Sequence, residues 1–100
     1  MRIIAKRALR TFWTKHPDSE TPLKLWFKNV ANANWQSLND LKTDYSTADY
    51  VGNGRVVFNI KGNHYRLIVK VEFEFRVVFI KFVGTHSAYD KIDAKTVDSY

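Results

Sequence analysis

His86 and Tyr89 stand three residues apart, so on a helical turn their side chains leave from one side. Histidine exchanges protons near neutrality and tyrosine can hold or donate one, while Arg66 and Lys61 can stabilise charge developing on a phosphate. That combination suits metal-free cleavage of RNA. In such a reaction the substrate's own 2′-hydroxyl attacks the adjacent phosphorus, so the protein supplies a base, an acid and cations rather than a nucleophile. The chain has no cysteine, which excludes disulfides, thiolate zinc sites and a cysteine nucleophile. The three histidines are scattered along the chain, and Glu72 and Glu74 fall far from His86, so no metal ligand is assigned and no cofactor is expected. Gly52-Asn53-Gly54 precedes a strand rather than a helix and reads as a turn, not a nucleotide-binding loop. Duller roles exist for each group. Tyr89 can cap a core, His64 can serve a turn, and His16 is expected to pack at a helix end.

These residues need a scaffold. Leu9, Phe12, Trp13 and His16 recur at three- and four-residue spacing before Pro17, which predicts a helix over Lys6–Lys15. Thr21 followed by Pro22 predicts an N-cap with proline at the first helical position. Leu23, Phe27, Val30 and Ala31 then mark a second helix to about Ala33. Ser37 and Asp40 fit a capping box before Leu41, enough for a turn or so of helix.

From Arg55 onward the period changes to two. Gly62-Asn63 sits between two alternating runs as a two-residue hairpin turn, pairing Lys61 with His64, Ile60 with Tyr65, Asn59 with Arg66, Phe58 with Leu67, and Arg55 with Lys70. One face then carries Val56, Phe58, Ile60, Tyr65, Leu67 and Val69. The other gathers Arg55, Asn59, Lys61, His64, Arg66 and Lys70. A tight connection at Glu74-Phe75 extends the ladder, with Val71 opposite Val78, Val69 opposite Ile80, Leu67 opposite Phe82, Lys81 opposite Ile68 and Val83 opposite Arg66. The fold class is therefore α+β, an antiparallel sheet packed on one face by two N-terminal helices. At about 3.3 Å per residue, the chain after Val83 comes alongside His64 and Lys61. Like charges opposite each other destabilise a ladder, so a cationic outer face points to a polyanion as its partner.

The composition agrees with that partner. One hundred residues suffice for a single domain, 1–100, that buries about two-thirds of its unfolded surface. The net charge of +6 is divided between residues 1–35 and 55–91, and the first seventeen residues carry five cations and no acid. That opening has the charge balance of a mitochondrial presequence, yet its Leu9–Phe12–Trp13 stripe reads better as core. No run approaches the roughly 18 apolar residues of a membrane span, and a cytoplasmic, non-membrane protein is expected.

The stretches MRIIAKRAL, VVFNIKGNHYRLIVKVEF and VVFIKFVGTHSAYDKID resemble the HigB family of toxins over nearly the whole chain. The most diagnostic residues are Asn59, Gly62-Asn63, Tyr65-Arg66-Leu67 and the tail Thr85-His86, Tyr89-Asp90. The resemblance implies a RelE-like fold and the toxin half of a type II toxin–antitoxin pair. It further implies an endoribonuclease that cuts messenger RNA on translating ribosomes, is monomeric alone, and is neutralised by a HigA-type helix-turn-helix antitoxin. Carried over, it makes Arg66 a phosphate-stabilising cation and His86 and Tyr89 the acid–base participants, with base and acid left open. Asn59, Lys61, His64, Lys81 and Lys91 would bind RNA. A noncatalytic RNA- or DNA-binding module, or a protein whose basic face docks an acidic chain, would need neither His86 nor Tyr89.

Overall fold

The computed structural model describes residues 1–100. The apolar stripe near the start forms helix α1, Lys6–Lys15, which buries Ala8, Leu9 and Trp13. Its first turn holds Lys6 and Arg7 and no acid, the charge sign a helix N-terminus disfavours, and Ala5 offers no side-chain cap. Burial, not capping, holds this helix. His16 follows it and stacks on Phe12 with ring centres 4.4 Å apart.

Pro17–Ser19 form one 3-10 turn, and helix α2, Glu20–Ala31, continues directly from it. The expected Thr21 cap is thus inside the helix, and the last helical residue is Ala31 rather than Ala33. The reason is local: the Ser19 backbone N–H and hydroxyl both donate to the His16 carbonyl, at 2.9 and 2.7 Å, so helical geometry starts before Thr21. Pro22 becomes the third helical residue, where a missing N–H still costs no intrahelical bond. Helix α3, Leu38–Asp44, is nearly two turns rather than one. Ser37 accepts from the Asp40 N–H at 3.4 Å, but the Asp40 carboxylate accepts from Gln36 N–H at 2.8 Å instead of closing a box on Ser37. Buried Leu41 and the Trp35 indole N–H donating to Asp44 at 2.8 Å supply what local capping does not.

The strands are β1 Arg2–Ile4, β2 Asp49–Gly52, β3 Arg55–Ile60, β4 Tyr65–Glu72 and β5 Val77–Thr85, in the spatial order β1-β5-β4-β3-β2. β2 to β5 form the antiparallel meander, and the apolar start Ile3-Ile4 adds to β5 in parallel, making the sheet mixed. β3 and β4 pair in the predicted register from Ile60–Tyr65 to Arg55–Lys70. The turn differs: it spans residues 61–64, and Lys61 and Gly62 take positive φ rather than Gly62 and Asn63. Two extra turn residues leave the pairing parity intact, so the faces survive.

β4 and β5 follow the predicted pairing only up to Val69–Ile80. A bulge then opposes Ile68 with Phe82, Leu67 with Val83 and Arg66 with Gly84. The predicted pairs Leu67–Phe82, Ile68–Lys81 and Arg66–Val83 are corrected by one residue, the extra one being Lys81. The slip exchanges faces beyond it. Val83 joins the helix-side core, while Phe82 turns to the outer face and packs with Val57 and Ile68. Its ring lies over Gly84, where a Cβ would stand 2.5 Å from the ring.

The outer face is consequently not an open cationic surface. A short helix α4, His86–Tyr89, and the chain after it lay Ala88, Tyr89, Ile92, Ala94 and Val97 over Val57, Ile68 and Phe82. Arg55, expected to point into water, is buried, and its guanidinium donates to the carbonyls of Ala94 and Val97. Asn53 donates to Lys95 carbonyl at 3.0 Å and the Ser99 N–H to Lys81 carbonyl at 2.9 Å, so the terminal segment is strapped across the sheet.

Candidate active site

The β3–β4 hairpin tip and the end of β5 meet at one corner of the sheet. Thr85 ends β5 and caps α4, its hydroxyl accepting from the Ala88 N–H at 3.1 Å, so His86 sits at the first position of the turn that follows. The His86 N–H donates to the His64 carbonyl at 3.1 Å, tying α4 to the hairpin. Asn63, His64, Thr85, His86 and Ser87, none of them a hydrophobic residue, line a shallow cavity of about 380 Å³.

Arg66 lies at its margin. The guanidinium donates to the Asn63 and Tyr65 carbonyls at 3.1 and 3.4 Å and to the Asn63 side-chain oxygen at 3.5 Å. It also stands over the Tyr89 ring, 5.7 Å from its centre. Every one of those protein acceptors is neutral, so the cation's charge is left for a ligand. Tyr89 is half-buried, packed on the Val57–Ile68–Phe82 cluster. Asn59 is the cross-strand partner of Arg66, exposed on the same face.

Both histidine rings are oriented. The Nδ1 atom of His64 lies 2.9 Å from the Lys61 carbonyl, and that of His86 lies 3.1 Å from Asp90 Oδ2. A carbonyl and a carboxylate accept only, so each Nδ1 carries the hydrogen when these bonds form and each Nε2 is left free.

The structure does not gather the remaining predicted residues. Lys61, expected beside His86, is drawn by its positive φ toward the helix layer and pairs with Asp18 at 2.7 Å. Lys81, the bulge residue, pairs with Asp98 at 3.2 Å, its side chain only 17% exposed. Lys91 is exposed just beyond α4. Asp18 also accepts from the Tyr65 hydroxyl. Lys61 chiefly, then Tyr65, hold the Asp18 carboxyl below its ordinary 3.8, and that carboxylate in turn raises the Tyr65 hydroxyl above its ordinary 10.0. Sequence reasoning named Asn63 as a turn residue and Asn63, Thr85 and Asp90 as marks of the family resemblance, but gave none of them a part in the site. The four-residue spacing of His86 and Asp90 carried the signal for the last of them.

Comparison with known proteins identifies the family. Residues 19–92 match the model of the HigB toxin family, described as the RelE-like toxic component of a toxin–antitoxin system. The chain belongs to the HigB toxin family. Its relatives include the mRNA interferase toxin HigB of Escherichia coli (strain K12), 30% identical over 93 residues that cover 90% of this chain and 88% of that one. The mRNA interferases HigB of Escherichia coli O157:H7 and Shigella flexneri match to the same extent. As a HigB-family toxin the chain is one half of a toxin–antitoxin system, and its α+β fold with a five-stranded mixed sheet is the RelE-like one. No helix is long and apolar enough to cross a membrane.

Proposed function

We propose that this HigB-family toxin is an endoribonuclease that cuts messenger RNA at the hairpin–α4 corner. The observation that carries the reading is the shared cavity of His64 and His86 with Arg66 at its edge. Proton-transfer groups and an uncommitted cation stand where a phosphodiester can reach both. Arg66 neutralises the phosphate, with Tyr89 beneath it, and His86 exchanges a proton with the reacting oxygens. Asn59, His64 and Lys91 add contacts to the RNA strand. Lys61 and Lys81, each already paired with a carboxylate, contribute less.

The RNA supplies its own 2′-hydroxyl as nucleophile, so strand scission at this site requires no metal ion. The cavity is shallow, which fits a single strand presented by a larger body, and we place the reaction on the translating ribosome, where it stops translation and growth. The toxin acts in the cytoplasm as a monomeric domain spanning residues 1–100 and is silenced by a HigA-type helix-turn-helix antitoxin.

The test is mRNA cleavage by purified toxin with free RNA and with RNA on programmed ribosomes, alongside growth arrest on expression. Cut transcripts are expected only with ribosomes. The double change H86A and Y89F is expected to abolish both cleavage and arrest while the circular dichroism spectrum and melting temperature stay unchanged. Full toxicity of a folded double variant contradicts the catalytic reading. A binding module predicts instead intact RNA affinity in that variant and a reduced salt slope on loss of Arg66.

A further inference from the structure

Strand scission needs a second proton carrier besides His86, and two side chains are near enough: Tyr89, one turn along α4, and His64, across the cavity. Resting on the ribonuclease reading above, we propose that His64 is the general base and His86 the general acid of one reaction, with Tyr89 a positioning residue for Arg66. Tyr89 is not among the residues lining the cavity; its ring packs on Val57, Ile68 and Phe82 and its face is occupied by the Arg66 guanidinium. His64 and His86 both line the cavity, and the backbone bond from His86 N–H to His64 carbonyl fixes the distance between the two segments.

The partners divide the labour. His64 Nδ1 faces a neutral carbonyl, that of Lys61, to which it donates, so the unshared pair on Nε2 is the one available to accept a proton. His86 Nδ1 faces the Asp90 carboxylate, which gives an imidazolium an ion-pair partner at 3.1 Å. In the forward step the 2′-oxygen bonds to phosphorus as its proton passes to His64 Nε2. The bond from phosphorus to the 5′-oxygen breaks as the His86 imidazolium gives that oxygen its Nε2 proton. The products are a 2′,3′-cyclic phosphate and a 5′-hydroxyl, and no atom or electron is left over.

The test replaces the scissile 5′-oxygen of a ribosome-bound mRNA, at the bond the wild-type toxin cuts, by sulfur. A thiolate leaves without a proton, so the substitution removes the need for an acid and leaves the need for a base. Both histidines are exposed, so their replacement spares the core. H64N, whose amide can still donate to the Lys61 carbonyl, provides a variant with the turn bond kept. With the oxygen substrate, H64N and H86A are each expected to cleave about 10²- to 10⁴-fold more slowly than wild type. With the sulfur substrate, H86A is expected to return to within about tenfold of wild type, while H64N stays slow. Y89A, which removes the ring beneath Arg66, is expected to slow both substrates to the same extent with no rescue by sulfur, because it disturbs the phosphate cation and no proton carrier, whereas Y89F keeps that ring and loses only the hydroxyl. H64N at wild-type rate with Y89F slow on both substrates would overturn the assignment and leave the ribonuclease reading standing. Rescue of H64N instead of H86A would reverse, and so overturn, the two roles. No cleavage of the oxygen substrate by wild type, bound to ribosomes or free, would overturn the ribonuclease reading and this assignment with it.

Discussion

Arg66 and Arg55 sit on the same outer face of the same hairpin and are used in opposite ways. Arg55, at the end away from the turn, is buried and spends its guanidinium on the carbonyls of Ala94 and Val97, fastening the terminal segment. Arg66, near the turn, is half-exposed over Tyr89, held by carbonyl and amide oxygens at a shallow cavity. Around Arg55 the neighbouring lysines are also committed, Lys70 to Glu72 and Lys81 to Asp98. Thus the charge seen along β3 to β5 is two populations: one that closes the molecule and one left for a ligand. A cation's function depends on which acceptors already hold it, not on which face its strand position predicts.

The comparison breaks first at Arg66. R66A is expected to slow RNA cleavage about 10²- to 10³-fold, the effect of losing one preorganised charge-stabilising donor, with the urea midpoint unchanged. A purely structural Arg66 would instead shift the midpoint and the rate together. R55A is expected to do the reverse. Losing the buried donor strands two carbonyls and costs about 1–3 kcal/mol of stability in urea unfolding, while cleavage by the folded fraction persists.

The same division explains how much could be read in advance. The β3–β4 register was legible because period-two hydrophobicity survives a change of turn length by two residues. Beyond Val69–Ile80 it was not, because nothing in the run IKFVG distinguishes a bulged lysine from a paired one; the slip is decided by Phe82 finding cover from Ile92, Ala94 and Val97. For the same reason the strap was missed: residues 90–100 have no clear periodicity, and their placement rests on contacts with Asn53, Arg55 and Lys81, all distant in sequence. At the site, the convergence of His86 with His64 followed from strand length, whereas the capture of Lys61 by Asp18 needed the helix layer in three dimensions.

Gly84 sharpens the boundary between the two regions. G84A is expected to cost about 1–3 kcal/mol in urea unfolding, since the new methyl meets the Phe82 ring at 2.5 Å. Because Phe82 supports Tyr89, cleavage is expected to fall as well, and stability loss with an unaltered rate would show that the ring is not part of the support.

The smallest effect belongs to Asp18. Its lowered ionisation means that it favours the folded chain at pH above the ordinary aspartate value of 3.8, and that this contribution fades as pH falls below it through the folded value. For Tyr65 the sign is opposite: its raised ionisation favours folding below pH 10.0, and the contribution is lost as pH rises through the folded value. An NMR titration of D18N is expected to return Tyr65 toward its ordinary value with cleavage near wild type. An unmoved Tyr65 would show that Asp18 does not hold it.

The most direct measurement is the chemistry of the RNA ends after brief expression of the toxin, compared with expression of R66A and H86A. The hairpin–α4 site predicts transcripts ending in 2′,3′-cyclic phosphate with 5′-hydroxyl partners, nearly absent in both variants. Cuts that leave 5′-phosphates, or cyclic ends undiminished in the folded variants, would contradict it.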